Sequence, residues 1–164
     1  MEKTIYLAGG CFWGTQAFFD QFRGVLETRV GYANGGKANP TYQEVCADSG
    51  HAETVRIRFD EDVIPLESLL DKYFMVIDPV SVNRQGHDAG IQYRTGIYYE
   101  DPEQLPVIEK RMAREQEKYD RPLAVEVGPI QNFYDAEEYH QKYLEKNPGG
   151  YCHIPAEMLS IETP

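Results

Sequence analysis

The sequence predicts an α+β fold, a two-layer α/β sandwich in which helices pack against one mixed sheet. Three observations carry this expectation. Strand-like apolar runs alternate with amphipathic segments along the 164 residues, as in strands interleaved with helices. The closely spaced second and third strand-like runs could pair antiparallel, which favours a mixed sheet over a wholly parallel one. Neither a repeat nor a low-complexity linker interrupts the chain, so residues 1–164 are expected to form one domain.

The elements follow in order. "KTIYLA" is a short apolar run that suggests a buried strand. From Trp13 to Phe22 the chain suggests a helix, with Ala17, Phe18 and Phe22 at helical spacing and Gly24 near its end. "VLETRVGY" and "ETVRIRFD" follow as strands; in the second, Val55, Ile57 and Phe59 alternate with charged residues and mark one core face. Between them "ANGGKANPTYQEVCADSGHA" is rich in Gly, Pro and Asn and predicts a long excursion of the functional kind. "PLESLLDKYFMVI" is the clearest helix: Pro65 opens it, and Leu66, Leu69, Leu70, Tyr73, Phe74 and Ile77 form its core stripe. A second polar loop, "DPVSVNRQGHDAGIQ", leads into the strand "YRTGIYYE" and a charged helix over Pro102 to Tyr119. The strand "LAVEVG", a short helix "DAEEYHQKYLEK" and a Pro/Gly-marked tail from about residue 146 complete the chain.

Composition narrows the function classes. A net charge of −11 with no Lys/Arg stripe argues against nucleic acid as a partner. No apolar run approaches the ~18–20 residues of a membrane span, and the N-terminus lacks a secretory pattern, so a cytoplasmic location is expected. Three scattered cysteines, Cys11, Cys46 and Cys152, do not form a secreted disulfide framework. With four histidines but no C-x₂-C unit, they also lack the spacing of a zinc site, and no metal or cofactor is expected.

The stretch "AGGCFWG" places Cys11 at a strand-to-helix turn, beside the only tryptophan of the chain. There its sulfur would meet the unpaired N–H groups and positive dipole end of a helix, which favour the reactive thiolate. A lone cysteine is more commonly a small buried hydrophobe, and both readings stand on local grounds. The flanking glycines favour close approach of a ligand.

"GCFWG" resembles the active-site motif of the A-type peptide methionine sulfoxide reductases. Further signatures stand in the same order: "GYANGGKANPTYQEVC", "GHAE", "NRQGHDAGIQYRTGIYY" and "NPGGYC". The resemblance spans Gly9 to Cys152 and implies a mixed-sheet sandwich around a ferredoxin-like core. It also implies reduction of methionine S-sulfoxide, free or in oxidised proteins. Cys11 would attack the sulfoxide sulfur and finish as a sulfenic acid, with methionine released.

The resemblance assigns roles motif by motif. Glu53 of "GHAE" corresponds to the acid that engages the sulfoxide oxygen, a task suited to a carboxyl raised by burial. Tyr42 of "NPTY" and Tyr93 of "IQYR" correspond to phenols that bond that oxygen, and Asp88 of "GHD" to a polar partner in the same network. Phe12 and Trp13 would hold the S-methyl group and set the epimer. Cys152 would resolve the sulfenic acid as a disulfide with Cys11, to be reduced by thioredoxin, whereas Cys46 is expected to be a passive thiol. Some details depart from the family pattern: an extra residue in "GYANGG", His87 where Asn is common, and "DPVS" in place of Asp-Pro-Thr. Two other classes compete. A cysteine hydrolase would use His51 or His153 as base, and a non-catalytic interaction module would use the acidic, aromatic surface.

Overall fold

The computed structural model describes residues 1–36, 38–46, 49–147, 150 and 154–160. The chain begins with β1 (Glu2–Gly9), α1 (Phe12–Asp20), β2 (Val25–Ala33), the short α2 (Tyr42–Cys46), β3 (Ala52–Asp60) and α3 (Leu66–Met75). A small hairpin, β4 (Arg84–Gln85) with β5 (Asp88–Ala89), precedes β6 (Thr95–Tyr99) and α4 (Leu105–Gln116). Then come β7 (Glu126–Pro129), β8 (Phe133–Asp135) and α5 (Tyr143–Lys146).

Among the described residues six strands form one sheet in the order β7-β6-β1-β3-β2-β8. Only the β6–β7 pair is parallel among the described residues, so the sheet is mixed as expected. Its four central strands, linked through α1 and α3, are two interlocked split βαβ units, the ferredoxin-like arrangement. The expected antiparallel pair is β2 with β3, in a register that sets Val30 opposite Val55 and Tyr32 opposite Glu53.

The main core lies on the helix-covered face. Phe18, Phe19 and Phe22 from the α1 region, Leu66, Leu69, Leu70 and Tyr73 from α3, and Ile108 from α4 meet Ile5, Leu7, Val55, Ile57 and Phe59 there. The β3 alternation and the α3 stripe therefore fall where their periods place them. A smaller cluster of Tyr6, Ala8, Ala33, Ala52 and Tyr98 lies apart, with Ile130 and Phe133 packed on it.

Several boundaries differ from the sequence expectation. The expected helix over "DAEEYHQKYLEK" is instead the end of β8, a single 3₁₀ turn (Glu138–His140) and the four-residue α5. Two contacts break it. Lys142 has a left-handed backbone (φ 56°), and the Gln141 amide is drawn onto β2. It accepts from Val30 N at 3.0 Å and donates to Val30 O at 2.8 Å, bonds no helix-facing glutamine would make. The long excursion contains α2, and β7 begins only at Glu126.

Candidate active site

Topology brings the C-terminal ends of β1 and β2 to the same edge as the N-terminal ends of β3 and β6: Gly9 pairs with Thr95, and Tyr32 with Glu53. Between β1 and α1 the chain turns through Gly10, whose φ of 87° suits glycine. Gly9 leaves no slack, since a Cβ there would meet Ile77 Cγ2 at 3.0 Å. Cys11 follows as the N-cap residue of α1 and is 7% exposed. Its neighbourhood is therefore the unpaired amide end of the helix.

Glu53 extends the Val55, Ile57, Phe59 stripe by one step of the strand period, so its carboxyl lies on the core face. It is 1% exposed. Oε1 accepts the Phe12 backbone N–H at 3.3 Å, and Oε2 is buried without a hydrogen-bond partner among the described residues. Desolvation raises its pKa to about 8, against the lowering effect of the Phe12 amide and with the Asp88 charge adding to the rise. A buried carboxyl that holds its proton near neutral pH thus lies at the helix start that Cys11 caps.

The remaining predicted polar groups share this environment. Tyr93 ends the 3₁₀ turn Ile91–Tyr93, and burial raises its phenol pKa with help from Glu53, Asp88, Cys11 and Cys46. Burial also raises Tyr42, followed by the charges of Glu53 and Tyr93. Both phenols stay protonated donors across the physiological range. Asp88, half-buried at the start of β5, is close enough to influence both Glu53 and Tyr93. Cys46 interacts with Tyr42, Tyr93 and Tyr139, so it lies beside the phenols rather than remote from them.

Phe12 is buried, with its ring 5.8 Å from Tyr32 and 5.3 Å from His140. Trp13 is half-buried and stacked on Tyr143, centroids 3.8 Å apart. Cys152 and His153 lie outside the described residues. His51 is buried, with Nδ1 2.8 Å from Ser49 Oγ and its ring against Tyr134.

Sequence reasoning missed four residues. Glu137 accepts the Tyr32 hydroxyl at 2.8 Å and the Tyr42 backbone N–H at 3.0 Å, so one carboxylate anchors α2 to β2. Burial works against its charge, but the Tyr42 amide and the Tyr32 hydroxyl hold its pKa below the usual carboxylate range. Tyr32, His140 and Tyr143 complete the aromatic surround. Only Tyr32 had a signal, two residues beyond Val30 on the core face of β2.

Comparison with known proteins places the chain in a family. A family model described as peptide methionine sulfoxide reductase matches residues 3–163. The chain belongs to that family. Two relatives named peptide methionine sulfoxide reductase MsrA are each 60% identical. The match to the Clostridium acetobutylicum protein covers 96% of this chain and 98% of the relative, and that to Lachnoclostridium phytofermentans 94% and 93%. Among solved structures, reduced Mxr1 from Saccharomyces cerevisiae matches with a TM-score of 0.88 and 39% identity, over 92% of this chain and 88% of that one. Mxr1 in complex with Trx2 matches with a TM-score of 0.63 and 29% identity, over 87% and 84%. The protein is thus an oxidoreductase of the methionine sulfoxide reductase class, and the hydrolase and interaction-module readings lose their support. Among the described residues of the reductase, no helix is long and apolar enough to cross a membrane, and no His/Cys/Asp/Glu group is disposed to hold a metal ion.

Proposed function

We propose that the reductase acts on the S epimer of methionine sulfoxide, free or in oxidised proteins, through Cys11, Glu53, Tyr42, Tyr93 and Asp88. The observation that carries this reading is the Glu53 carboxyl, buried, raised to about 8 and bonded to the amide that follows Cys11. Sulfoxide oxygen is a poor leaving group until it is protonated. The Cys11 thiolate attacks sulfur while Glu53 delivers a proton to oxygen, and the two phenols share the developing charge. Attack gives an intermediate in which the substrate sulfur carries both Cys11 Sγ and the hydroxyl. The hydroxyl then moves to Sγ, the sulfur–sulfur bond and the substrate's sulfur–oxygen bond break, one electron pair returns to the substrate sulfur as thioether, and Cys11 keeps the hydroxyl as sulfenic acid. Phe12 and Trp13 form the apolar wall for the S-methyl group, so only one epimer presents oxygen to Glu53.

Cys152, on the tail from about residue 146, then attacks the sulfenic acid; water leaves and a Cys11–Cys152 disulfide forms. A thioredoxin dithiol reduces it. The solved complex of yeast Mxr1 with Trx2 supports that choice of reductant. A cytoplasmic location suits this cycle.

Incubating the reduced protein with N-acetyl-methionine S-sulfoxide tests the reading, since two of three thiols should disappear as one thioether is released. Loss of a single thiol, or turnover of the R epimer at equal rate, would overturn the corresponding step.

A further inference from the structure

The 3₁₀ turn Ile91–Tyr93 is a weak support for the phenol it carries. Its backbone bonds run from Tyr93 N–H to Gly90 O at 3.0 Å and from Arg94 N–H to Ile91 O at 3.2 Å, and Gly90 enters it with a φ of 144°. A single turn closes few bonds, and their geometry is poorer than in an α-helix. The β6 ladder takes over only at Thr95. Something beyond the turn must therefore fix Tyr93.

Arg94 joins the turn to the sheet. Its side chain is 11% exposed, and Nε donates to Glu126 Oε1 on β7 at 2.9 Å. From the same planar fork Nη1 returns to the carbonyl of Ile91, the first residue of the turn, at 3.0 Å. A longer contact of 3.4 Å runs from Nη2 to the carbonyl of Asn34, where β2 passes into the excursion that carries Tyr42. Glu126 is fixed in turn, because the Tyr98 hydroxyl donates to the same Oε1 at 2.7 Å. The guanidinium thus lies with Tyr98, which belongs to the smaller apolar cluster, whereas the Tyr93 phenol interacts with Glu53, Asp88 and Cys11. Two neighbouring side chains serve different sides of the sheet end, and the rigid geometry of the guanidinium lets one of them brace the other.

We infer that Arg94 is a positioning residue for the reductase reaction: by bonding Glu126 and the Ile91 carbonyl together it fixes the turn that carries Tyr93, and so sets where the Tyr93 hydroxyl meets the sulfoxide oxygen. The inference rests on Tyr93 bonding that oxygen, as proposed above. Arg94 acts through the turn and does not touch the substrate.

A double-mutant cycle separates this role from a general loss of stability. In single turnovers of N-acetyl-methionine S-sulfoxide, Tyr93→Phe should lose roughly 10–100-fold in rate, the effect of one hydrogen bond to a developing charge. Arg94→Met, which keeps the stem and removes the donors, should lose most of that factor by itself. Added to Tyr93→Phe it should cost no more than about a further twofold, because the two changes remove one interaction. Arg94→Lys keeps the charge beside Glu126 but lacks the fork that also reaches Ile91, and should fall between wild type and Arg94→Met. Fluorine NMR of fluorotyrosine-labelled protein gives a readout without substrate, the Tyr93 line being the one lost in Tyr93→Phe. That line should shift or broaden in Arg94→Met and move less in Arg94→Lys. Should Arg94→Met fail to fold, the cycle and the line are read in Arg94→Lys, where a loss confined to the Tyr93 background is still required. Losses that multiply in both backgrounds, a wild-type rate in a folded Arg94→Met protein, or an unmoved Tyr93 line would each overturn the inference. Absence of sulfoxide reduction by the wild type would instead remove the proposed role of Tyr93, and the fluorine line would then decide whether Arg94 holds the turn.

Discussion

The carboxyl of Glu53 accepts the backbone N–H of Phe12 at 3.3 Å across the gap between β3 and α1. That bond ties the proposed acid to the amide immediately after the proposed nucleophile. It also sets a tension, because the amide stabilises the ionised carboxylate while burial favours the neutral acid, and burial dominates.

Glu53→Gln should therefore preserve the fold and slow Cys11 oxidation by sulfoxide roughly 10²–10⁴-fold, the usual range for loss of a general acid. Glutamine still donates a hydrogen bond but transfers no proton. Stopped-flow or rapid-quench measurement of thioether release decides; a wild-type rate would move the acid elsewhere.

The first-turnover rate should decline as pH rises through about 8, where Glu53 loses its proton. This alkaline limb should be absent from the Glu53→Gln profile. Its persistence there would assign the titration to another group.

The same shift predicts a stability effect. The folded-state pKa of about 8 lies above the ordinary 4.5, so the neutral form is favoured by folding. The contribution of Glu53 is fully present below about pH 4.5 and is lost as pH rises towards 8. Urea unfolding should find Glu53→Gln more stable than wild type above pH 8, by on the order of a few kcal/mol, with the gap closing in acid. A pH-independent difference would contradict the buried, neutral carboxyl.

Cys152→Ser should release about one thioether per active site and then stop, because the sulfenic acid on Cys11 has no resolving thiol. Dithiothreitol should restore turnover and thioredoxin should not. Sustained thioredoxin-driven turnover would end the two-cysteine cycle and turn attention to Cys46, which lies beside Tyr42 and Tyr93.

Gln141→Ala should destabilise the protein by about 2–4 kcal/mol, measured from the denaturant midpoint. The amide serves Val30 N–H and C=O and the Ala136 carbonyl in a buried setting, and its loss strips partners from the edge of β2. Because Gln141 adjoins His140, whose Nδ1 accepts the Trp13 indole N–H, Trp13 emission should shift as well.

Local order was legible where a single period decides it. The Leu66, Leu69, Leu70, Tyr73 stripe could bury itself only as a helix face, and the Val55, Ile57, Phe59 alternation only as a strand face. Carried one step back, that alternation reaches Glu53, but in the sequence the motif alone singled Glu53 out. The turn at Gly10–Cys11 and the ordered motifs identified the family and most of the candidate site. By contrast, "DAEEYHQKYLEK" carries a helical pattern that fails because Gln141 bonds to β2 and Lys142 turns left-handed. Such partners come from strands more than a hundred residues away, which no local pattern encodes. The protonation of Glu53, the anchoring of Tyr42 by Glu137 and the hold of His140 on Trp13 belong to the tertiary structure alone. Each depends on which surfaces close over a polar group and what they leave it to bond, quantities that exist only once the chain has folded.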